Sequence, residues 1–448
     1  MNDRPSVLGS REKFSFAGAL LGQTVIFNFV NLYLLIFYTD VFGIGAAAAG
    51  TLFLVARVWD AVNDPIMGIL VDKTSTRWGK CRPYLLFAPL PIVALTVLLF
   101  SSPDLPSVGK VVFASITYIL WGMAYTSLDI PLWTMSSRMT VDSEERQSLI
   151  GLGRIFNILG SAVPVALAVP LKQALGGGNE GRGYFLTAIV FGLFAVPFML
   201  QGFHGTRERT DLSDGTKPGI SEILRAVFKN SPLLLLLASS ILAVFINLPV
   251  SAGIYFATYA LGDEGLFAVL AGTVLLSAVV GSLLAPPLAR RFSSRNILIV
   301  TSAASMVLFI AGWFIGYASL PLVIVLAFVI GTLLGIPLVL RTSMLADTVE
   351  FAEMKTGKRT EGIIFSTLTF TGKLKLGVAA FLSGLVLKFA DYVPNAAQSP
   401  RSLEGIFLML TLIPALGCLL TIVPLLFYRL SDEDHKRIVE TLEGKEHP

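Results

Sequence analysis

In "ARVWDAVNDPIMG", Arg57, Asp60 and Asp64 follow one another at intervals of three and four residues inside an otherwise apolar stretch. That spacing sets all three on one helical face. A charge within the hydrocarbon of a bilayer costs at least about 2.5–3.5 kcal/mol, so a chain keeps one there for a purpose. Two acids against one base leave a net negative charge, which a bound Na⁺, Li⁺ or proton neutralises. Oxygens of Asn63 and Thr126 are available to complete a small shell for a hard cation. Pro65 removes a backbone donor just after Asp64 and frees a carbonyl nearby. The plainer alternative is a structural ion pair between Arg57 and one of the acids.

A second group centres on Asp129 in "YTSLDIPLWT", four residues before Trp133. A carboxylate beside an indole is the pairing that holds a sugar, with hydroxyls on the acid and the apolar ring face on the aromatic one. As an isolated residue, Trp133 reads as an interfacial anchor. Arg154 and Lys373 are the expected balancing bases, and they fall in opposite halves of the chain. Lys375 points away from Lys373 at this spacing, to snorkel or to pair elsewhere. Arg341 lies about two turns before the end of its span, where snorkelling to the surface is the plain alternative to a binding role.

The elements that must position these residues follow from composition. Of 448 residues, 54% are hydrophobic and only 14% charged, against about a quarter charged in ordinary globular proteins. Lipid must therefore solvate much of the surface. About twelve stretches approach the roughly twenty apolar residues that a span requires: 14–38, 47–70, 83–101, 111–135, 148–171, 184–203, 232–260, 266–288, 296–317, 320–347, 362–389 and 405–427. Backbone groups in lipid must be satisfied internally, so these are helices, and the strand-length alternation of a barrel is absent. The expected fold is an all-α membrane protein of two six-helix halves, residues 1–203 and 232–428. A polar central loop, 204–231, joins them, and a tail, 429–448, follows.

With the N-terminus and alternate loops on one side, that side carries 24 of the 34 Lys and Arg and the other carries 5. This bias puts both termini in the cytoplasm of a multi-pass cell-membrane protein. It also accounts for the net charge of +4 without nucleic-acid binding. Both halves place a basic loop after their second span, a weak internal similarity of the kind parallel repeats give. Small-residue spacings such as Gly18/Gly22 and Gly331/Gly335 are read as helix packing. The two cysteines imply no disulfide framework. No histidine lies within an apolar stretch, which removes intramembrane haem and most zinc chemistry. The polar first thirteen residues do not read as a cleaved signal, so the first span is expected to be kept.

Several motifs together resemble the glycoside–pentoside–hexuronide:cation symporters of the major facilitator superfamily, nearly end to end. They are "YTDVFG", "GTLFLVARVWDAVNDPIMG", "RWGKCRPYLL", "YILWGMAYTSLDIPLW", "ADTVEFAEMKTGKRTEG" and "YVPNAAQS". The resemblance implies cation coupling through Asp60, Asn63, Asp64 and Thr126, with Na⁺ permitted and Li⁺ or H⁺ as substitutes. It implies sugar binding through Asp129, Trp133, Arg154 and Lys373, with Tyr125 nearby. Residues 68–83 resemble the superfamily's loop motif, in which Asp72 and the bases after it, Arg77 first, gate helix packing. Where the family's α-galactoside carrier has a Lys–Asp pair in the first helix, this chain has Gln23 and Thr24. The missing carboxylate argues for a different sugar. Arg341 stands where that carrier is neutral, and with Lys373 and Arg154 it raises the case for an anionic sugar such as a hexuronide.

The expected mechanism is symport by alternating access, by a chain acting as a monomer. There is no nucleotide loop of the G-x-x-x-x-G-K-[ST] type, no cofactor is implied, and no nucleophile–base or metal set points to an enzyme. A carrier of lysolipids or other amphiphiles is the alternative within the same fold. Asp129, Trp133 and the polar residues Gln23, Thr24, Asn28 and Asn31 of the first span favour sugar over an acyl chain.

Overall fold

The computed structural model describes residues 8–140, 142–209, 228, 230–356, 361–430, 434–435, 437–438 and 440–441. Most of the expected central loop, much of the C-terminal tail, Arg4, and the bases Lys358 and Arg359 lie outside the described residues. Helices occupy each of the twelve apolar stretches. In chain order they are α1 Ser10–Ile36, α2 Ala46–Lys73, α3 Arg82–Phe87, α4 Pro89–Leu99, α5 Ser107–Met139, α6 Ser143–Gly176, α7 Glu180–Gly205, α8 Ser231–Leu242, α9 Leu248–Tyr255, α10 Leu266–Ala289, α11 Ser294–Ile315, α12 Leu320–Thr356, α13 Glu361–Phe389, α14 Pro400–Leu410 and α15 Leu412–Phe427.

Three spans are interrupted. The third breaks between α3 and α4 at Ala88, where Pro89 withholds a backbone donor. The seventh passes from α8 through a 3₁₀ turn, Ala243–Asn247, into α9 with Pro249 at its start, and ends in a π-helical turn, Phe256–Ala260. The twelfth breaks at Thr411. α12 runs to Thr356, nine residues past the expected limit at Asp347, because polar residues beyond the apolar stretch continue the helix. Among the described residues, ten helical segments are long and apolar enough to cross a membrane by length and composition. α2 is not among them, since its polar face lowers its mean hydropathy, and α3 and α4 are too short singly.

Two compact units result. One comprises Met1–Asp214 with the short segments Ala257–Val269 and Leu387–Gln398; the other comprises Gly215–Phe256, Leu270–Val386 and Ser399–Pro448. In the first, α1 packs along α6 and α7 and α2 along α5. Contact is close enough that a Cβ on Gly22 would lie 2.6 Å from the Ala195 carbonyl oxygen, and one on Gly160 would lie 2.7 Å from that of Leu21. In the second, α11 packs with α12 and α15, and α8 with α15. Gly335 lies against Ala278 and Gly331 against Ser277, which is how the small-residue spacing there is used.

α2 is polar inwards and apolar outwards. Val55, Val58, Val62, Ile66 and Ile69 are exposed along one face, while Arg57, Asp60 and Asn63 are buried on the other. A helix built this way has lipid as solvent on its apolar face. Its charges turn to the protein interior, and that is what brings them to α5.

Candidate functional site

α2 and α5 meet in register. A Cβ on Gly122 would sit 3.2 Å from Asp60 Oδ1, so a glycine on α5 makes room for that carboxylate. Four residues later, the Thr126 hydroxyl donates to Asp64 Oδ1 at 3.0 Å. The i, i+4 pair of acids on one helix thus faces an i, i+4 pair of neutral residues on the other. Asp60 is 4% exposed and forms a salt bridge with Arg57, Nη1 to Oδ2 at 2.9 Å. Arg57 also donates to Asn31 Oδ1 at 3.1 Å and lies over the rings of Phe27 and Tyr118. Asn63 is buried, and its side-chain nitrogen has no hydrogen-bond partner among the described residues. One acid is therefore partly compensated by a fixed base, while the other holds a hydroxyl. Two carboxylates, an amide and a hydroxyl on adjacent turns are oxygen donors suited to a hard cation.

One turn beyond Thr126 on α5, Asp129 Oδ1 accepts a hydrogen bond from Gln23 Nε2 at 2.6 Å. Gln23 is buried, and its carbonyl oxygen has no hydrogen-bond partner among the described residues. Gln23 thus presents its amide to Asp129. Its neighbour Thr24 is used differently: its hydroxyl donates to Asn157 of α6 at 2.7 Å, holding α1 to α6. Tyr125 packs on Phe27 with ring centroids 5.0 Å apart and on Trp121 at 5.3 Å. Trp121 in turn donates to Thr96. Trp133 is half-buried, and Arg154 is exposed, with no ion pair or hydrogen bond among the described residues. Gln23, Thr24, Tyr125, Asp129, Trp133 and Arg154 all belong to the first unit. Lys373 and Arg341 belong to the second. Arg341 does not snorkel: its guanidinium is directed at the buried serines Ser239 and Ser240 of α8.

Two clusters join residues whose partners the sequence does not show. Asp72 of the loop motif lies 3.8 Å from Arg138 at the end of α5, whereas Arg77 stacks on Trp78. The backbone N–H groups of Lys80, Cys81 and Arg82, which open α3, all donate to the carboxylate of Glu208 at 2.8–3.1 Å. An acid at a helix N-terminus satisfies orphan donors and the helix dipole together. Burial, reinforced by Glu208, pushes the Cys81 thiol up to about 12.

The second cluster lies at the far end of α1 from the N-terminus. The Asp40 carboxylate accepts hydrogen bonds from the hydroxyls of Thr39, Tyr259 and Tyr392, and Asn395 donates to its backbone carbonyl. Nearby, Lys172 pairs with Glu264 at 2.5 Å and with Glu180 at 3.2 Å. Burial raises the Glu264 carboxyl above its ordinary range, against the pull of Lys172. The sequence signal was present: Asp40 lies in "YTDVFG", and Tyr392 and Asn395 in "YVPNAAQS". Nothing in either motif shows that the two meet.

The model of the family described as MFS/sugar transport protein matches residues 15–432. The isoprimeverose transporter of Lactiplantibacillus pentosus is 33% identical over 450 residues, covering 97% of this chain and 91% of that one. The glucuronide carrier protein homolog of Escherichia coli (strain K12) is 31% identical over 423 residues, 92% of this chain and 91% of that one. Among solved structures, the nucleoside transporter NupG superposes with a TM-score of 0.67 at 13% identity, covering 93% of this chain and 99% of that one; this likeness concerns the fold.

Proposed function

The chain belongs to the glycoside–pentoside–hexuronide:cation symporter family of the major facilitator superfamily, and from that membership we propose that it imports a sugar together with Na⁺, for which H⁺ or Li⁺ substitutes. It is a multi-pass membrane transporter and not an enzyme. In this reading both termini are cytoplasmic, as the Lys and Arg bias requires, and the monomer is the working unit.

The observation that carries the proposal is the register of α2 on α5. Asp60, Asn63, Asp64 and Thr126 offer oxygens to the ion, and Asp129, held by Gln23, follows one turn along the same helix. The Thr126 hydroxyl donates to Asp64; an ion between them would require it to turn its oxygen to the cation. Because α5 is rigid over one turn, that rearrangement reaches Asp129 directly. Coupling is reciprocal: if the cation raises sugar affinity, sugar raises cation affinity by the same factor. In this reading Asp129, Trp133 and Tyr125 contact the sugar, with Arg154 as a neighbouring base, and Lys373 and Arg341 are further substrate-binding residues.

The test is uptake into proteoliposomes of labelled glycosides, pentosides and uronides, each with and without an inward Na⁺, Li⁺ or H⁺ gradient. Accumulation of at least one saccharide above equilibrium, driven by one of these gradients, is the expected result. Uptake of none, or uptake indifferent to every gradient, would refute the reading.

A further inference from the structure

The C-terminal tail returns to the second unit. Residues 434–435 and 437–438 are helical, and His435 Nε2 lies 3.7 Å from Asp347 Oδ1 and 3.6 Å from Glu350 Oε2, near the end of α12. Three residues on, Ile438 is buried. A polar and an apolar anchor at this spacing put one face of the tail against the body of the unit.

Tail and body enclose a cavity of about 490 Å³, a volume in the range of ligand pockets. Its floor is apolar: Leu235 comes from α8, Phe351 and Met354 from α12, and α15 ends in it with Phe427. Arg429, just past α15, lines it with Asp434 and Arg437 of the tail. Both arginines are exposed, and two bases against one acid leave the mouth positive. The charges around them have other partners. Arg295 donates to the carbonyls of Leu425 and Leu426 and so caps α15. Lys355 lies over the Phe351 ring, 4.4 Å from its centroid, and Asp347 and Glu350 face His435.

The cavity opens onto an apolar track. Leu416, Leu419, Val423 and Leu426 are exposed on α15 at spacings of three and four, hence on one face, and the track ends at exposed Phe427 in the cavity floor. From Leu416 to Phe427 the helix rises roughly 16 Å at about 1.5 Å per residue, close to half of the ~30 Å hydrocarbon thickness. A small soluble anion has no use for such a track. A phospholipid uses both features, its acyl chain on the helix and its phosphate among bases at the membrane surface. We propose that this cavity seats an anionic phospholipid such as phosphatidylglycerol, with its phosphate at Arg429 and Arg437, one acyl chain along α15, and the tail as its roof. Arg437 and Ile438 reach the cavity only while the tail is docked, so lipid binding and tail docking strengthen each other.

The test titrates the full chain in detergent with dioleoylphosphatidylglycerol, dioleoylphosphatidylcholine and sn-glycerol 3-phosphate. Bound lipid is read by native mass spectrometry and stability by the thermal unfolding midpoint. The wild type should bind phosphatidylglycerol about tenfold more tightly than phosphatidylcholine, the scale set by two bases at a membrane surface, and gain a higher midpoint from it. Arg429→Gln and Arg437→Gln should each shrink that preference and the double variant bring it near one, while Arg429→Lys with Arg437→Lys keeps most of it. Arg290→Gln removes an exposed base beyond α10, outside the cavity lining, and should leave the preference unchanged. His435→Asp sets a third acid beside Asp347 and Glu350, drives the tail off, and should weaken phosphatidylglycerol binding with both arginines intact. Equal binding of the two lipids, a preference that falls as far in Arg290→Gln as in the cavity variants, or unchanged binding in His435→Asp would overturn the proposal. So would an arginine-dependent gain in midpoint from glycerol 3-phosphate equal to that from the lipid, which assigns the site to a soluble anion. If the double glutamine variant does not fold, Arg437→Gln in the tail decides alone, and an undiminished preference there overturns the proposal. Failure of saccharide uptake leaves it standing, because it does not depend on the transported solute.

Discussion

Asp60 and Asp64 occupy one helical face but hold different partners. Asp60 is spent partly on Arg57, while Asp64 holds the neutral hydroxyl of Thr126. Removing one member of a buried ion pair strands the other, at a cost of about 3–5 kcal/mol. Asp60→Ala is therefore expected to lower the thermal unfolding midpoint markedly. Asp64→Asn should leave it nearly unchanged while abolishing cation-driven uptake; equal losses of stability in the two would contradict this division. Thr126→Val, which keeps the shape and removes the hydroxyl, should weaken apparent cation affinity by about tenfold, the scale of one hydrogen bond to a charged group, while Thr126→Ser retains it. At this scale the sequence was readable wherever partners share a helix, because spacing of three or four fixes a face. It was silent where they do not. Gln23 and Asp129 are 106 residues apart, and only their polarity inside apolar stretches hinted at a role.

Helices were legible because lipid leaves the backbone no other way to satisfy its donors and acceptors. Their breaks were not. Proline at Pro89 or Pro249 marks a tolerated interruption, but only packing decides whether the helix kinks, restarts or passes through a 3₁₀ turn. Glu208 was missed for a related reason: an acid just past a span reads as a solvated charge until α3 points three N–H groups at it. That contact makes a prediction. With its thiol pushed up to about 12 from an ordinary 9.0, Cys81 holds roughly a thousandfold less thiolate at pH 8 than an unperturbed cysteine. It should resist maleimide in the native protein and label faster in Glu208→Gln, as mass spectrometry would report; equal labelling would remove Glu208 as the element holding the loop. Packing by glycine is testable in the second unit. Gly335→Ala puts a methyl 2.4 Å from the Ala278 carbonyl oxygen, so it should lower the unfolding midpoint, whereas Gly272→Ala, with nothing within 4 Å of the added carbon, should not.

Across the molecule, hydropathy and charge bias give a two-half plan, but they do not show that residues 257–269 and 387–398 of the second half belong to the first compact unit. Their attachment includes the Lys172–Glu264 pair and the cluster of Asp40, Tyr259, Tyr392 and Asn395, the tyrosines lying more than two hundred residues of chain from Asp40. If these contacts latch that end, Asp40→Asn should speed modification of Ala257→Cys, a buried position in the latch, by an impermeant maleimide; an unchanged rate would leave the cluster a static support. Acids stand inside the apolar stretches of the first half, at Asp60, Asp64 and Asp129, and in the proposed reading Asp60 and Asp64 serve the cation while Asp129 serves the sugar. The most direct measurement of that division compares Na⁺-driven accumulation with sugar counterflow in the same proteoliposomes, for wild type and Asp64→Asn. Asp64→Asn is expected to lose accumulation against a gradient yet still exchange sugar for sugar. Undiminished Na⁺-driven accumulation in that variant would contradict it.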